Sequence, residues 1–281
     1  MKLLRFGPKG QEKPGILDVN GQVRDLSGRV PDFAGDGVSL EALAAIRAID
    51  PASLPVVAEP GRIGACLARV PNFIAIGLNY ARHAAESGMD VPTEPVVFSK
   101  VTSCLSGPYD PVVIPRGSEE TDWEVELGVV IGRTASYVDE AAALDHVAGY
   151  CTVNDVSERG FQLDRGGQWV KGKSAPTFGP VGPWLVSADE VVDPQALRLS
   201  LSLNGATMQD SDTSDMIFSV AKIVSYLSQM MELQPGDLIC TGTPAGVGMG
   251  LKPPRYLKPG DVMELEVDGL GHQRQEARAA D

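Results

Sequence analysis

The chain is poor in the side chains that bind transition metals through nitrogen or sulfur. Its 281 residues include three histidines and four cysteines. The cysteines are widely spaced, without a Cys-x-x-Cys pair: Cys66, Cys104, Cys151 and Cys240. This spacing disfavours a zinc site and predicts four reduced thiols in a cytoplasmic protein.

Long apolar runs are missing as well. No run approaches the roughly 18 apolar residues of a membrane span. The opening MKLLRFGPKG lacks the apolar segment of a signal peptide. We therefore expect a cytoplasmic protein with no membrane partner.

Basic residues are in deficit. There are 24 lysines and arginines against 37 aspartates and glutamates, so the formal net charge is −13. A charge of this sign repels nucleic acids and anionic membranes, so we expect no nucleic-acid partner. To bind an anionic substrate, the protein would need a local region of positive charge, and a bound cation would provide it.

Turn-forming residues are abundant, with 31 glycines and 21 prolines. Short apolar segments bounded by them outnumber helical ones and do not alternate with helices. This pattern favours a mixed, mainly antiparallel β architecture over a doubly wound sheet. The clearest helix is predicted over 214–231, with Ser214 or Asp215 as its N-cap. The stretch 50–61 is rich in proline and small residues, so we place a boundary after it, between residues 1–66 and 67–281.

Two acidic side chains interrupt an otherwise apolar strand. The segment DWEVELGVVIG (122–132) is predicted to be a β-strand, and alternation places Glu124 and Glu126 on one face. That face is either exposed to water or compensated by a cation, because adjacent like charges repel. Asp155 ends a second apolar strand, GYCTVND. Three carboxylates would form a hard oxygen site for Mg²⁺ or Mn²⁺, with positions left for a chelating substrate.

One histidine has an acidic neighbour at helical spacing. His83 lies three residues before Glu86 in the segment 81–88, so the two side chains can meet on one helix face. Glu86 would then hold the imidazole in one tautomer and raise its basicity, as in a general-base dyad. The alternative is an ordinary surface ion pair.

Several other polar residues lie close in sequence to the acids. Lys173 lies in a glycine-rich stretch, where lysines are usually solvated, but near the carboxylates it would neutralise an anionic substrate. Arg159 and Gln162 follow Asp155 and would point back toward it from a helix. In TGTPAGVGMG (241–250), the amides and the hydroxyls of Thr241 and Thr243 would line a pocket for a carboxylate.

Taken together, these motifs resemble a known family. IGLNYARHAAE, DWEVELGVVIG, GYCTVNDVSER, KGKSAPTFGPVGP and PGDLICTGTPAGVG occur in the order typical of the fumarylacetoacetate hydrolase family. The resemblance extends from about residue 70 to residue 281. The N-terminal segment resembles the small leading domain of longer bacterial members.

The resemblance implies an α+β, mainly β fold. The catalytic domain would be a mixed β-sandwich or roll of the family's C-terminal type, preceded by a small N-terminal α+β domain and usually assembled as a homodimer. It implies that Glu124, Glu126 and Asp155 hold one Mg²⁺ or Mn²⁺. It places His83 and Glu86 on a mobile lid.

The remaining site residues follow from the same resemblance. The family's active-site lysine falls on Lys173, and its substrate-facing arginine and glutamine fall on Arg159 and Gln162. Its loop threonine falls on Thr241 or Thr243. One departure from the family pattern is expected to reshape the substrate pocket: residues 174–176 read Ser-Ala-Pro, where many close relatives carry a glycine and then an aspartate.

The implied activity is hydrolysis of a C–C bond in an acylpyruvate-type 2,4-diketo acid, giving pyruvate and a second acid. Candidate substrates are fumarylpyruvate, maleylpyruvate and 2,4-diketo-3-deoxy sugar acids. His83 would take a proton from the attacking water, and the cation and Lys173 would stabilise the departing pyruvate enolate. The alternatives are oxaloacetate decarboxylation, isomerisation of a 2-hydroxy-diene-dioate, ureidoglycolate cleavage, and a non-catalytic metal-binding β-roll.

Overall fold

The computed structural model describes residues 1–86 and 88–281, and over those residues it contains eighteen strands and five α-helices. The elements in chain order are β1 (Lys2–Phe6), β2 (Lys13–Leu17), β3 (Val23–Asp25), α1 (Leu40–Arg47), β4 (Phe73–Gly77), α2 (Ala81–Glu86), β5 (Val96–Lys100), β6 (Leu105–Ser106), β7 (Val112–Ile114), β8 (Thr121–Asp122), β9 (Val125–Ile131), β10 (Val147–Asn154), β11 (Ser157–Glu158), α3 (Arg159–Leu163), α4 (Val170–Lys173), β12 (Gly179–Pro180), β13 (Leu185–Ser187), β14 (Arg198–Leu203), β15 (Ala206–Asp212), α5 (Val220–Ser228), β16 (Leu238–Cys240), β17 (Val262–Val267) and β18 (Gly271–Ala279).

A nine-stranded sheet runs through the centre of the molecule. Its strand order is β3-β2-β1-β13-β10-β9-β16-β4-β5. All neighbours are antiparallel except β16 and β4. Every residue of β9 and β10 is buried, because both faces of these central strands are covered. That burial explains why the two strands are nearly continuous apolar runs in the sequence.

A five-stranded sheet covers one face of β9 and β10. Its order is β15-β14-β17-β18-β7, and β14 and β17 contact β9. β14 alternates in burial, with Leu199, Leu201 and Leu203 pointing inward, as expected for a strand with one wet face. The two packed sheets and the few short helices confirm the predicted α+β, mainly β sandwich.

The N-terminal segment joins the central sheet directly. β1 pairs antiparallel with β13, with Leu3 opposite Leu185. Arg62 bridges the two parts of the chain: its Nη1 lies 2.6 Å from Glu12, and its Nε donates to Asp110 at 2.7 Å. The sheet is therefore continuous across residue 66, and the division into 1–66 and 67–281 stays a prediction.

The predicted helix over 214–231 is wrong at both ends. Helix α5 spans only Val220–Ser228, and Ser219 caps it by accepting a hydrogen bond from the Lys222 amide. The amides of Ile217 and Phe218 instead donate to the backbone and side-chain oxygens of Asn79 at 2.8 Å. Because these two amides are hydrogen-bonded to a residue far away in the chain, the helix begins after them.

The predicted helix over 81–88 is observed as α2, which ends at Glu86; Ser87 lies outside the described residues. Throughout the part of the chain that is described, no helix is both long enough and apolar enough to cross a bilayer.

Candidate functional site

Strand pairing brings the three predicted acids together. Glu126 on β9 is opposite Val153 on β10. Two residue pairs further along, the Asp155 amide donates to the Glu124 carbonyl at 2.9 Å. Glu124 precedes β9, whereas the sequence placed it within one continuous strand. Carboxylate oxygens of Glu124, Glu126 and Asp155 all lie within 4.8 Å of one another, and all three residues are buried.

Three buried cations neutralise two of these acids. Lys173 Nζ donates to Glu124 Oε2 and Asp155 Oδ2, both at 2.8 Å. Arg159 Nη1 lies 2.8 Å from Glu124 Oε1, and Lys100 Nζ donates to Asp155 Oδ1. Burial alone would raise the pKa of Glu124, but the charges of Lys173 and Arg159 outweigh it and hold this pKa well below its ordinary value.

Glu126 lacks such compensation. Its carboxylate accepts a hydrogen bond from the Gly242 amide at 2.7 Å, and among the described residues no cation forms a salt bridge with it. Burial, followed by the charges of Asp155 and Glu124, raises the pKa of Glu126 well above its ordinary value.

This arrangement fits a hard divalent cation. Three convergent carboxylates supply the oxygen ligands that Mg²⁺ and Mn²⁺ prefer. A cation among them would relieve the repulsion that Glu126 experiences. No histidine or cysteine belongs to this cluster as described, so the donor set does not suit a structural zinc ion.

The predicted dyad forms on α2. His83 Nδ1 lies 2.9 Å from Glu86 Oε1. The Gly246 amide donates to both carboxylate oxygens of Glu86, at 3.1 and 3.0 Å. The dyad is therefore docked on the glycine-rich loop that follows β16, and the buried His83 lines the cavity above the acids.

The same loop fixes both threonines. Thr241 Oγ1 donates to the Leu127 carbonyl, and Thr243 Oγ1 donates to the Val125 carbonyl, each at 2.9 Å. Thr243 lines the cavity, whereas Thr241 is not among the described lining residues. The loop thus tethers β9 and presents Thr243 beside Glu126.

Lys173, Arg159 and Gln162 also line the cavity. Arg159 begins α3 and donates from Nη1 to Gln162 Oε1 at 3.1 Å, so the predicted one-sided arrangement is present. The charges of Asp155 and Glu124 raise the pKa of Lys173 even though burial alone would lower it. The Lys173 ammonium also lies 5.1 Å from the centre of the Phe98 ring.

The departure at 174–176 lies outside the cavity. Ser174 Oγ accepts a hydrogen bond from the Val101 amide at 2.8 Å. None of these three residues is among the described lining residues. Ser174 therefore supports the segment behind Lys173 and does not contact the space that a substrate would occupy.

Two charged residues of the site escaped sequence-based reasoning. Lys100 is the last residue of β5. The only sequence feature that could have indicated its role is its position as a lysine at the end of the apolar segment PVVFSK. Asp122 accepts hydrogen bonds from the amides of Gly248 and Met249, at 2.7 and 3.0 Å, and from Arg159 Nε at 2.9 Å. Asp122 therefore links the glycine-rich loop to α3.

The cavity is small in this structure. It offers about 30 Å³ of space to a water-sized molecule. One water needs roughly 10–15 Å³ of such space, so the cavity has room for two or three waters. A bound keto acid would require the lining to move.

Comparison with known proteins finds a matching family and close relatives. A family model for the fumarylacetoacetate (FAA) hydrolase C-terminal domain matches residues 72–278. A Burkholderia ambifaria protein named "Putative hydrolase" is 63% identical over 281 residues, which is 100% of both chains.

Solved structures match over the full length. Fumarylacetoacetate hydrolase from Exiguobacterium antarcticum has a TM-score of 0.89 at 33% identity, covering 100% of both chains. Maleylpyruvate hydrolase from Sphingobium sp. SYK-6, in complex with manganese(II) and pyruvate, has a TM-score of 0.81 at 30% identity over 100% of both. A 2-hydroxyhepta-2,4-diene-1,7-dioate isomerase from Mycobacterium marinum has a TM-score of 0.75 at 30% identity, covering 99% of this chain and 98% of that one. The family model, the full-length identity and these matching structures show that this chain belongs to the fumarylacetoacetate hydrolase family.

Proposed function

We propose that this protein is a divalent-metal-dependent hydrolase that cleaves a C–C bond of an acylpyruvate-type 2,4-diketo acid, releasing pyruvate and a second acid. One observation carries the proposal. Within a single cavity, the buried acids Glu124 and Glu126 lie beneath His83, whose Nδ1 is held by Glu86, and beside the buried ammonium of Lys173. The likeness to a maleylpyruvate hydrolase that binds manganese(II) and pyruvate supports it.

Glu124, Glu126 and Asp155 would hold Mg²⁺ or Mn²⁺, which supplies Lewis-acid stabilisation of negative charge on the substrate oxygens. The pKa of Glu126 is raised by burial and by its acidic neighbours, so its carboxylate gains most from a nearby cation.

His83 would act as the general base. If Glu86 is ionised, His83 Nδ1 donates its proton to Glu86, and Nε2 is left with a free lone pair. Nε2 would then take a proton from the water that attacks the 4-carbonyl carbon. The bond between that carbon and the methylene carbon breaks, and the electron pair moves into the departing enolate. A positioned base of this kind contributes roughly 10²–10⁴-fold to the rate.

Lys173 and Arg159 would bind the anionic end of the substrate. The Lys173 ammonium is buried and positively charged, so it can donate to the enolate oxygen as negative charge develops there. Arg159 and the side chain of Gln162 lie on the same wall and can donate to the carboxylate. Protonation of the methylene carbon then gives pyruvate.

Substrate entry would require α2 to move. The cavity has room for only two or three waters, and its upper lining includes His83 and Met89. The helix is held to the glycine-rich loop by the contact of Glu86 with the Gly246 amide. Breaking this contact would lift the dyad from the acids, so binding and alignment of the base would be coupled.

Pyruvate release is the direct test. We expect acetylpyruvate to give pyruvate, followed with lactate dehydrogenase, in the presence of Mg²⁺ or Mn²⁺ and not in EDTA. His83→Ala is expected to lose roughly 10²–10⁴-fold in kcat while still binding Mn²⁺. Glu126→Ala is expected to lose both turnover and Mn²⁺ affinity.

The matched control is His272→Ala, since His272 is an exposed histidine on β18, outside the cavity lining. It should behave as wild type. Full activity of the wild-type protein in EDTA would refute the metal requirement, and unchanged turnover of His83→Ala would remove His83 from the reaction.

Isomerisation of a 2-hydroxy-diene-dioate is the second candidate, because a structure with that name matches this chain over nearly its full length. It would use the same acids and Lys173, with His83 moving a proton between substrate carbons. The assay separates the two, since isomerisation changes the ultraviolet spectrum of the diene without releasing pyruvate. The predicted homodimer and cytoplasmic location stay predictions.

A further inference from the structure

The cavity has a charged floor and an apolar mouth. Glu126, Arg159 and Lys173 form the floor and are buried. At the mouth, the side chains that reach solvent are Met89, which is 40% exposed, and Leu163, which is 37% exposed. A bound molecule therefore places one end among ion pairs and the other among apolar groups.

The wall between floor and mouth is aromatic. The rings of Phe98 and Trp169 pack edge to face with their centres 5.2 Å apart. Trp169 also packs directly against Gly77. A Cβ added at Gly77 would lie only 2.4 Å from the indole ring. Met249 adds to this apolar lining. None of these side chains carries a charge that could form an ion pair with the substrate.

Cations that are close to the mouth in sequence point elsewhere. The Arg165 guanidinium stacks on the Phe161 ring, 3.9 Å from its centre. Lys171 Nζ donates to the Arg165 carbonyl at 2.5 Å. Arg82 lines a separate surface depression beside Asp210. Among the described lining residues, the basic side chains are Arg159, Lys173 and His83, and the first two are ion-paired at the floor.

Building on the proposed function, we propose that the acyl group of the substrate, the part beyond the 4-carbonyl, carries no charge. The floor accounts for a single carboxylate, that of the pyruvyl end. A second carboxylate at the far end would exchange part of its water for contacts with methionine, leucine and tryptophan without gaining a cationic partner, which is unfavourable. The net charge of −13 also repels a dianion more than a monoanion. The preferred substrate is therefore a monocarboxylate such as an alkanoylpyruvate, and dicarboxylates such as fumarylpyruvate or maleylpyruvate are disfavoured.

The test compares two substrates of the same length. Butanoylpyruvate and succinylpyruvate differ only in a terminal methyl against a terminal carboxylate. With Mn²⁺ present, we expect kcat/KM for butanoylpyruvate to exceed that for succinylpyruvate by roughly tenfold or more. An equal or higher value for succinylpyruvate would overturn this inference and leave the proposed hydrolase intact. If neither compound releases pyruvate, both the proposed function and this inference fail.

A variant tests the same idea from the protein side. Leu163→Arg places a cation at the mouth, and we expect it to shift the succinylpyruvate-to-butanoylpyruvate ratio of kcat/KM by roughly tenfold in favour of the dianion. Leu144→Arg is the matched control, because Leu144 is 40% exposed and lies outside the cavity lining; its ratio should stay that of wild type. Met89→Arg repeats the test at the other exposed residue of the mouth. A ratio unchanged in both mouth variants would also overturn the inference.

Discussion

Two acids separated by one residue should have opposite effects on stability. Glu126 is buried among like charges without a cationic partner, whereas Glu124 is held by Lys173 and Arg159 at 2.8 Å each. We therefore expect Glu126→Gln to stabilise the metal-free protein and Glu124→Gln to destabilise it. Both variants should lose affinity for Mn²⁺, because each removes one of the three carboxylates.

The magnitudes follow from the contacts. Glutamine at 126 keeps an oxygen for the Gly242 amide and removes the repelling charge, so a gain of about 0.5–2 kcal/mol is reasonable for relief of a strained functional site. Glutamine at 124 leaves Lys173 and Arg159 underpaired in the interior, which costs about 3–5 kcal/mol. At about 2–4 °C per kcal/mol, the Tm should rise by roughly 1–8 °C in the first variant and fall by roughly 6–20 °C in the second.

The pH dependence has a defined sign. The raised pKa of Glu126 means that the folded state binds this proton more tightly than the unfolded state, so its contribution to stability is lost as pH rises above the ordinary value of 4.5. The lowered pKa of Glu124 means that its contribution is present above 4.5 and is lost as pH falls. In EDTA, Glu126→Gln should remove part of the decline in stability toward neutral pH.

Differential scanning fluorimetry in EDTA across pH 5–8, with Mn²⁺ binding measured by calorimetry, checks each point. A Tm for Glu126→Gln below that of wild type in EDTA would refute the claim that this carboxylate is uncompensated. A neutral effect of Glu124→Gln would show that Lys173 and Arg159 find other partners.

Three further predictions follow from the structure. Gly77→Ala places a Cβ 2.4 Å from the Trp169 ring, so the free energy of unfolding, measured in urea, should fall by about 1–3 kcal/mol. The same substitution should lower kcat/KM because it displaces that wall of the cavity. Unchanged stability together with unchanged kcat/KM would refute the close contact. Ser219→Ala removes the cap that accepts from the Lys222 amide and should cost about 0.5–2 kcal/mol, measured by the urea midpoint. Burial raises the pKa of the Cys104 thiol to about 11, and all four cysteines are buried. Dithionitrobenzoate at pH 8 should therefore react slowly with the folded protein and should label all four thiols once the protein is denatured. Rapid labelling of the folded protein would contradict this prediction.

Local sequence signals were sufficient for the strands and for the acids. The apolar runs of β9 and β10 indicate strands buried on both faces, and an acid at the end of such a run has few roles other than ligation or ion pairing. The spacing of His83 and Glu86 likewise predicts a contact that the structure contains at 2.9 Å.

What the sequence could not supply depends on contacts between distant residues. The start of α5 is fixed by Asn79, which is more than 100 residues away in the chain and takes the amides of Ile217 and Phe218. No local pattern reports that constraint, so the sequence predicts a helix that begins several residues too early. Lys100 and Asp122 belong to the site for the same kind of reason, since each pairs with a residue from another element.

The charges of the site explain which carboxylate is left without a partner. Four buried acids, Asp122, Glu124, Glu126 and Asp155, face three buried cations, Lys100, Arg159 and Lys173. Each cation is paired with one or two of the other three acids, so the ionised form of Glu126 has no cationic partner among the described residues. A fourth buried cation beside Glu126 would stabilise the fold and would also remove the attraction for a divalent ion. The stability lost at Glu126 would therefore be the physical basis of the proposed metal affinity, which is why the two properties should change in opposite directions in Glu126→Gln.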